Sequence, residues 1–441
     1  MTLPSQQQIQ NLPTLLDIVQ MYHKEIQDHV NDGLWNGIYA GGKDVAWNLP
    51  SGEFCNNADE DKFIVVQTKD RRHTLKPNLR YSPFLFRGQN KNYPMILSSF
   101  GRDDYDVLGN PIDRSIAHAK HLVANLKAEE FIDLLKRHSL FMMLDRGIIL
   151  APEKEPIFIN MNYYGLAQHY GFKTGVMDFT SDINVAAFFA CTKCVGFDKY
   201  EPITDTLEYP YGVIYVHEIN PMFTFKGVGF STIGLQLYPR SGSQKGLLYN
   251  EVETSWPIKN LITKVHYFRH DPMVSLYFHK KFSTKLFPAD GISKYAKEIL
   301  DSTEVPGNVF AHNLYINQDN FENNIAELES QGLSVNWNKQ RCFSQELLNG
   351  LDSDLKNGLW EEFCKQIYFA DDIKGKAMHE SLLSLPNNPA YAHYFNIRDY
   401  SRIMYCDYLD HRRANINMNK KRATVNGGYI IRCYPNRYTN V

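Results

Sequence analysis

No stretch of this 441-residue chain holds about 18 consecutive apolar residues, the length of a bilayer-crossing helix, so no membrane span is expected. The mean hydropathy of −0.40 agrees. The opening MTLPSQQQIQNL has no basic segment followed by an apolar one, so no secretory signal is read and a cytoplasmic address is expected. Neither sign of charge is in excess: 47 Lys and Arg face 49 Asp and Glu, for a net charge of −2. That balance excludes a chain whose main business is coating nucleic acid, which needs a basic surplus. Cysteine is sparse and odd in number, at seven, which is no disulfide scaffold and fits reduced thiols in a cytosol. Cys191 and Cys194 form a C-x-x-C, but no second ligand pair follows closely, so the pair reads as small packing residues and no metal is expected. Internal repeats and low-complexity blocks are absent too.

What is present is ordinary globular composition, 43% hydrophobic and 22% charged. The length suits two or three domains at roughly 100–200 residues each. Tyr (27) and Phe (26) greatly outnumber Trp (5), which predicts aromatic-rich cores and clefts. Leu15, Leu16, Ile18, Val19, Tyr22 and Ile26 recur at helical spacing behind a Thr14 cap. Strands are predicted at 63–67, 84–89, 176–179 and 212–219, and around a turn from Pro239 to Gly246 within 232–252. Helices are predicted over 115–144 (as two), over 163–171 with a stop at Gly171, and after a Ser181 or Asp182 cap. Further helices are predicted over 271–282, 291–300 and 353–368. The fold class is α+β: a mixed, mostly antiparallel sheet core with surrounding helices and a C-terminal extension.

Three segments combine polar side chains with glycines: Phe86-Arg87-Gly88-Gln89; Gln168-His169-Tyr170-Gly171 leading to Asp178-Phe179-Thr180-Ser181 and Phe188-Phe189-Ala190; and Arg240-Ser-Gly-Ser243-Gln244-Lys245-Gly246-Leu247. Their order and spacing resemble the FRG domain, named for its Phe-Arg-Gly tripeptide. Leu286-Phe287-Pro288-Ala-Asp290-Gly291 is similar to that family's closing segment. The resemblance covers about residues 80–300 and divides the chain into an N-terminal extension (1–79), an FRG domain (80–305) and a C-terminal α+β extension (306–441). The chain departs from the family pattern in three places. Lys173-Thr174-Gly175 stands where Pro-Thr-Arg is usual, Phe179 where Trp is, and Leu247 where Phe is. The resemblance supplies a domain name and little mechanism.

An Arg on one strand, a Ser or Thr on a second and a Gln or Glu on a third also resemble the layout of the ADP-ribosyltransferase fold. That analogy implies NAD as a substrate. Arg87, Gln89, Tyr170, Thr180 and Ser181 are then the nucleotide-binding candidates. Asp178, Gln244, His169, Glu251 and Glu253 are the catalytic candidates. A guanidinium fork suits phosphate oxygens, and the amides opening the helix after Ser181 suit an anion. Cleavage of the nicotinamide bond develops oxocarbenium character, which calls for a nearby carboxylate. Gln244 is able to hydrogen-bond a ribose but supplies no charge; Asp178, Glu251 or Glu253 would supply it.

Each residue also has a purely structural reading. Arg87 fits an ion pair with Asp178, and His169 fits a core histidine. Asp178 and Thr180 fit helix caps, Gln244 a turn brace, and Glu251 and Glu253 a solvated strand face. Three functions stay open: an ADP-ribosyltransferase-like enzyme, as a toxin or phage-defence effector with a protein or nucleic-acid acceptor; a non-catalytic module binding a nucleotide or a protein segment; and a nucleic-acid-associated protein using the basic tail around Arg412, Arg413, Lys420, Lys421 and Arg422.

Overall fold

A computed structural model describes residues 6–32, 60–67, 72–78, 83–93, 95–106, 108–150, 156–219, 230–250, 258–317, 321–337, 345–369, 373–397, 414–417 and 422–425. The chain opens with α1 (Gln6–Gln10) and α2 (Leu15–Asp32). Thr14 caps α2 reciprocally: its hydroxyl accepts from the Asp17 amide, and the Asp17 carboxylate accepts from the Thr14 amide at 2.8 Å. The helical stripe Leu15, Ile18, Val19 and Tyr22 is buried. A hairpin-like pair follows, β1 (Phe63–Gln67) with β2 (His73–Pro77). Next come β3 (Phe84–Gln89), α3 (Arg114–Arg137), α4 (Ser139–Arg146), α5 (Tyr163–His169), β4 (Val176–Thr180) and α6 (Ile183–Cys191). The chain continues through β5 (Thr192–Gly196), β6 (Lys199–Pro202), β7 (Tyr211–Glu218), β8 (Phe230–Thr232), α7 (Pro239–Ser243), β9 (Gly246–Asn250) and β10 (Lys264–Arg269). Then come α8 (Pro272–Leu286), α9 (Gly291–Asp301), α10 (Gly307–Asn317), α11 (Phe321–Ser330), α12 (Gln345–Lys356) and α13 (Leu359–Lys365).

The central sheet has six strands in the order β10-β7-β3-β4-β9-β8, and every neighbouring pair is antiparallel. The class is α+β as expected. Among the described strands the parallel pairing lies outside this sheet, between Glu304–Pro306 and Ser334–Asn336. Strand alternation divides the two faces. Phe84 and Phe86 point toward α2, α6 and α8, where Tyr22 meets both rings edge-on. Leu85 points the other way, with Met177, Phe179, Leu247 and Tyr249. A third and larger core gathers Phe131, Leu166 and Tyr170 with Ile292, Leu347, Leu351 and Trp360. Residues before and after 305 therefore share one apolar interior.

Two elements differ from the sequence reading. Around Pro239 the expected strand–turn–strand contains a one-turn helix, α7, whose first residue is the proline. The proline's fixed φ is already helical and its missing N–H is not needed there. The helix predicted over 353–368 is two helices, because Gly358 has φ +89°, which turns the chain out of the helix. Among the described residues, no helix is long and apolar enough to cross a membrane.

Candidate functional site

The site begins where the sheet fails to pair. β3 and β4 share a single register position, Phe86 opposite Thr180, and then diverge. The Arg87 side chain enters the gap, and its Nη1 donates to the Asp178 main-chain carbonyl at 2.7 Å. The guanidinium thus supplies the donor that a continued ladder would have given that carbonyl. Gly88 lets α6 cross directly over the strand: a Cβ there would stand 1.9 Å from the Ala186 carbonyl oxygen. The Phe-Arg-Gly tripeptide has a distinct task at each position: a core ring, a plug for the split, and clearance for a helix.

On β4, Thr180 is fully employed. Its hydroxyl donates to the Gln244 carbonyl at 2.7 Å and accepts from the Asp182 amide at 3.1 Å. The cap of α6 is Asp182, which accepts from the Asn184 amide. Gln244 is the C-cap of α7 instead of a strand residue, and its amide donates to the Leu286 carbonyl at 3.1 Å. It therefore braces the turn against the end of α8.

The ion pair of Arg87 with the Asp178 carboxylate does not form; the bond goes to the backbone. Arg87 is half-buried at the cleft wall, and the loss of solvation pushes its pKa down, opposed by Asp178 and reinforced by Arg102. His169 closes α5 with a side chain only 2% exposed. Burial lowers its pKa, Asp178 opposes that shift, and Arg240 adds to it, so the ring is neutral near pH 7. Its Nε2 lies 3.8 Å from Asp178 Oδ1. The Gln244 side chain lies beside the ring and favours its protonation without closing a well-formed hydrogen bond.

Arg240, which the sequence reading left without a role, anchors this wall from behind. It is 1% exposed, grips the Asp198 carboxylate with both Nη atoms at 2.8 and 2.7 Å, and donates to the His169 carbonyl at 3.1 Å. Its guanidinium lies 4.3 Å from the centre of the Tyr170 ring, and Tyr170 donates its hydroxyl to Asp290 at 2.6 Å.

Arg87, Gln89, His169, Asp178, Thr180 and Gln244 all line one cleft of about 360 Å³. Two candidates lie elsewhere: Tyr170 is a core residue in the Arg240 network, and Ser181 sits under the strand end with its amide on the Lys245 carbonyl. Glu251 and Glu253 lie outside the described residues, as do the tail residues Arg412, Arg413, Lys420 and Lys421. The cleft also holds residues the sequence did not single out: Asn90, Tyr93, Arg102, Lys193, Tyr200 and Tyr209. Arg102 stands in a short 3-10 turn, where no periodicity marks it. That turn follows a loop docked on the 173–175 segment, through Phe100 N–H on the Thr174 carbonyl and Thr174 N–H on Ser99 Oγ.

Cys191 is buried, as expected of a packing residue, but Cys194 is exposed and lines the cleft. Among the described residues no group of three or more His, Cys, Asp or Glu is placed to hold a metal ion. Five solvent-shielded polar atoms around the cleft have no hydrogen-bond partner: Arg87 Nε, Gln89 Oε1, His169 Nδ1 and Nε2, and Asp178 Oδ1. Buried polar atoms are ordinarily paired, so this concentration in one concavity marks a place for a polar ligand.

No curated protein matches this chain, and neither does any solved structure. Residues 82–199 match the family model described as FRG domain. The matched segment contains the split between β3 and β4 together with Arg87, Gly88, His169, Asp178 and Thr180. This chain therefore carries an FRG domain.

Proposed function

We propose that the cleft binds NAD and cleaves its nicotinamide–ribose bond, as an ADP-ribosyltransferase-like enzyme. The observation that carries this reading is the charge pattern: two guanidiniums, Arg87 and Arg102, share one cleft with Asp178, the sole carboxylate lining it among the described residues. Among those residues Arg102 makes no hydrogen bond or ion pair through its side chain, so its fork is available to a phosphate oxygen. Tyr93, Tyr200, Tyr209 and Phe189 add aromatic surface to the cleft wall, although Lys91 lies over the Tyr93 and Tyr209 rings and Tyr200 stacks on Phe287.

In the proposed reaction the ribose C–N bond breaks and its electron pair leaves with the nicotinamide nitrogen. The Asp178 carboxylate stabilises the positive charge left on the ribose. A hydroxyl, amine or water then bonds to that carbon and loses its proton to Asp178 or solvent. Changing Asp178→Asn removes the charge at nearly constant shape. Nicotinamide release under saturating NAD should fall roughly 100-fold, the usual worth of a positioned electrostatic group. Wild-type protein that releases no nicotinamide, with or without a cell extract supplying acceptors, refutes the enzyme.

One observation favours the second reading, a binding module on the same cleft. The Thr180 hydroxyl and the Gln244 amide are both committed to main-chain partners, which removes two of the side chains an enzyme of this layout would use on the ribose.

A further inference from the structure

We infer that His169 Nε2 and Asp178 Oδ1 together form a hydroxyl-binding subsite that reads a ribose hydroxyl of the nucleotide. The inference rests on the proposed reading of the cleft and names a specificity contact within it. The two atoms are 3.8 Å apart, too far for a direct hydrogen bond. One oxygen is able to reach both at an ordinary length of about 2.8 Å. Both atoms are shielded from solvent, both belong to residues that line the cleft, and neither closes a well-formed hydrogen bond, although the Gln244 side chain lies beside the His169 ring.

Their chemistry is complementary in the way a hydroxyl requires. A carboxylate only accepts, and a neutral imidazole carrying its proton on Nε2 donates. A ligand hydroxyl that donates to Asp178 and accepts from His169 satisfies both at once. A ligand hydrogen in that place leaves two buried polar atoms unpaired, which a site of this kind penalises strongly. An amine or a second carboxylate meets only one of the two demands.

The subsite is also held in place. Arg240 fixes the His169 carbonyl, and the Asp178 carbonyl is fixed by Arg87. The main chain behind both side chains is thereby held, and a ligand hydroxyl enters by a small parting of the two side chains, since neither atom is open to a water-sized group in the empty cleft.

The test uses ADP-ribose, which lacks the scissile nicotinamide bond, and four analogues, each missing one of the 2′- and 3′-hydroxyls of its two riboses. Affinities are measured by calorimetry on the full chain. One analogue should bind wild type at least tenfold more weakly than ADP-ribose does. In Asp178→Ala, whose side chain is 45% exposed and so tolerates truncation, that difference should shrink to less than threefold. His169→Gln is a second variant, with the same shrinkage expected. Equal affinity of wild type for all five ligands overturns the subsite while leaving the nucleotide cleft standing. A hydroxyl preference that survives in both variants, each shown folded by circular dichroism, also overturns it. If wild type binds none of the five, the nucleotide reading fails and the subsite fails with it.

Discussion

Placing a single methyl group at position 88 tests the packing that opens the cleft. A Cβ on Gly88 meets the Ala186 carbonyl oxygen at 1.9 Å, its carbon at 2.8 Å and the Ala190 amide nitrogen at 2.9 Å. All three are main-chain atoms of α6, so no side chain is free to swing aside. Relief requires the helix to withdraw by about 1 Å, which loosens Ile183, Val185 and Phe188 from the core they share with Phe84 and Phe86. Overpacking of this kind costs about 1–3 kcal/mol. Partial loss of contact by three apolar side chains, each worth about 1.5–3 kcal/mol when fully buried, raises the total to about 3–5 kcal/mol. The assay is urea unfolding of wild type and Gly88→Ala, followed by circular dichroism. Gly175→Ala is the control: a Cβ there has no atom within 4 Å, so its effect should stay within about 0.5 kcal/mol. A Gly88→Ala protein that loses less than about 1 kcal/mol would refute the account of why the tripeptide ends in glycine.

Three further outcomes follow from groups around the large core. The His138 ring caps α4 by accepting from the Leu140 amide at 3.2 Å, and burial pushes its pKa down to about 3. The unfolded ring takes up its proton near pH 6.5 and the folded one resists, so stability should fall as pH drops from about 6.5 toward 3. His138→Asn, which keeps a neutral cap, should flatten that fall in urea midpoints measured against pH. Asp354 acts in the opposite direction: burial raises its pKa to about 6, so the folded state binds protons first and gains stability as pH falls from about 6 to 3.8. Asp354→Asn should accordingly make the acid-side loss steeper than in wild type, and parallel profiles would contradict this assignment. Arg240→Met leaves Asp198 and the His169 carbonyl without their donor, at a cost of about 1–3 kcal/mol by thermal unfolding, since the half-buried Asp198 regains water. A melting temperature unchanged by that substitution would show that the network is dispensable.

The sequence revealed the parts of this molecule that depend on local pattern. The Thr14 cap, the strand 84–89 and the stop of α5 at Gly171 with φ +84° follow from neighbours within a few positions. So did the meeting of Arg87, His169, Asp178, Thr180 and Gln244 in one cleft, since each lies in a short motif with a glycine close by. The roles of Thr180 and Gln244 were less legible. Their bonds run to main-chain carbonyls 64 and 42 positions away, and no motif encodes such partners. Arg102 carries no local signal for a related reason. It reaches the cleft because its loop docks on Thr174, a long-range contact with no periodic signature. The ion pair of the buried Arg240 with the half-buried Asp198 depends on a residue held at φ 54° at the β5–β6 turn, a backbone state that an aspartate identity alone does not announce.

The apolar interior shared across residue 305 bears on how such a domain travels in evolution. The stretch that matches the family, 82–199, presents Phe131, Leu166 and Tyr170 to Leu347, Leu351 and Trp360 far downstream. Asp354 on α12 also accepts from the Gly291 amide at 2.7 Å, where α9 begins. Cut free at its family boundary, the segment would carry a large greasy wound on one side. It is therefore not an interchangeable cassette in this protein. Any transfer of the segment to another chain would need a matching apolar cover, the part that the helices after 305 play here.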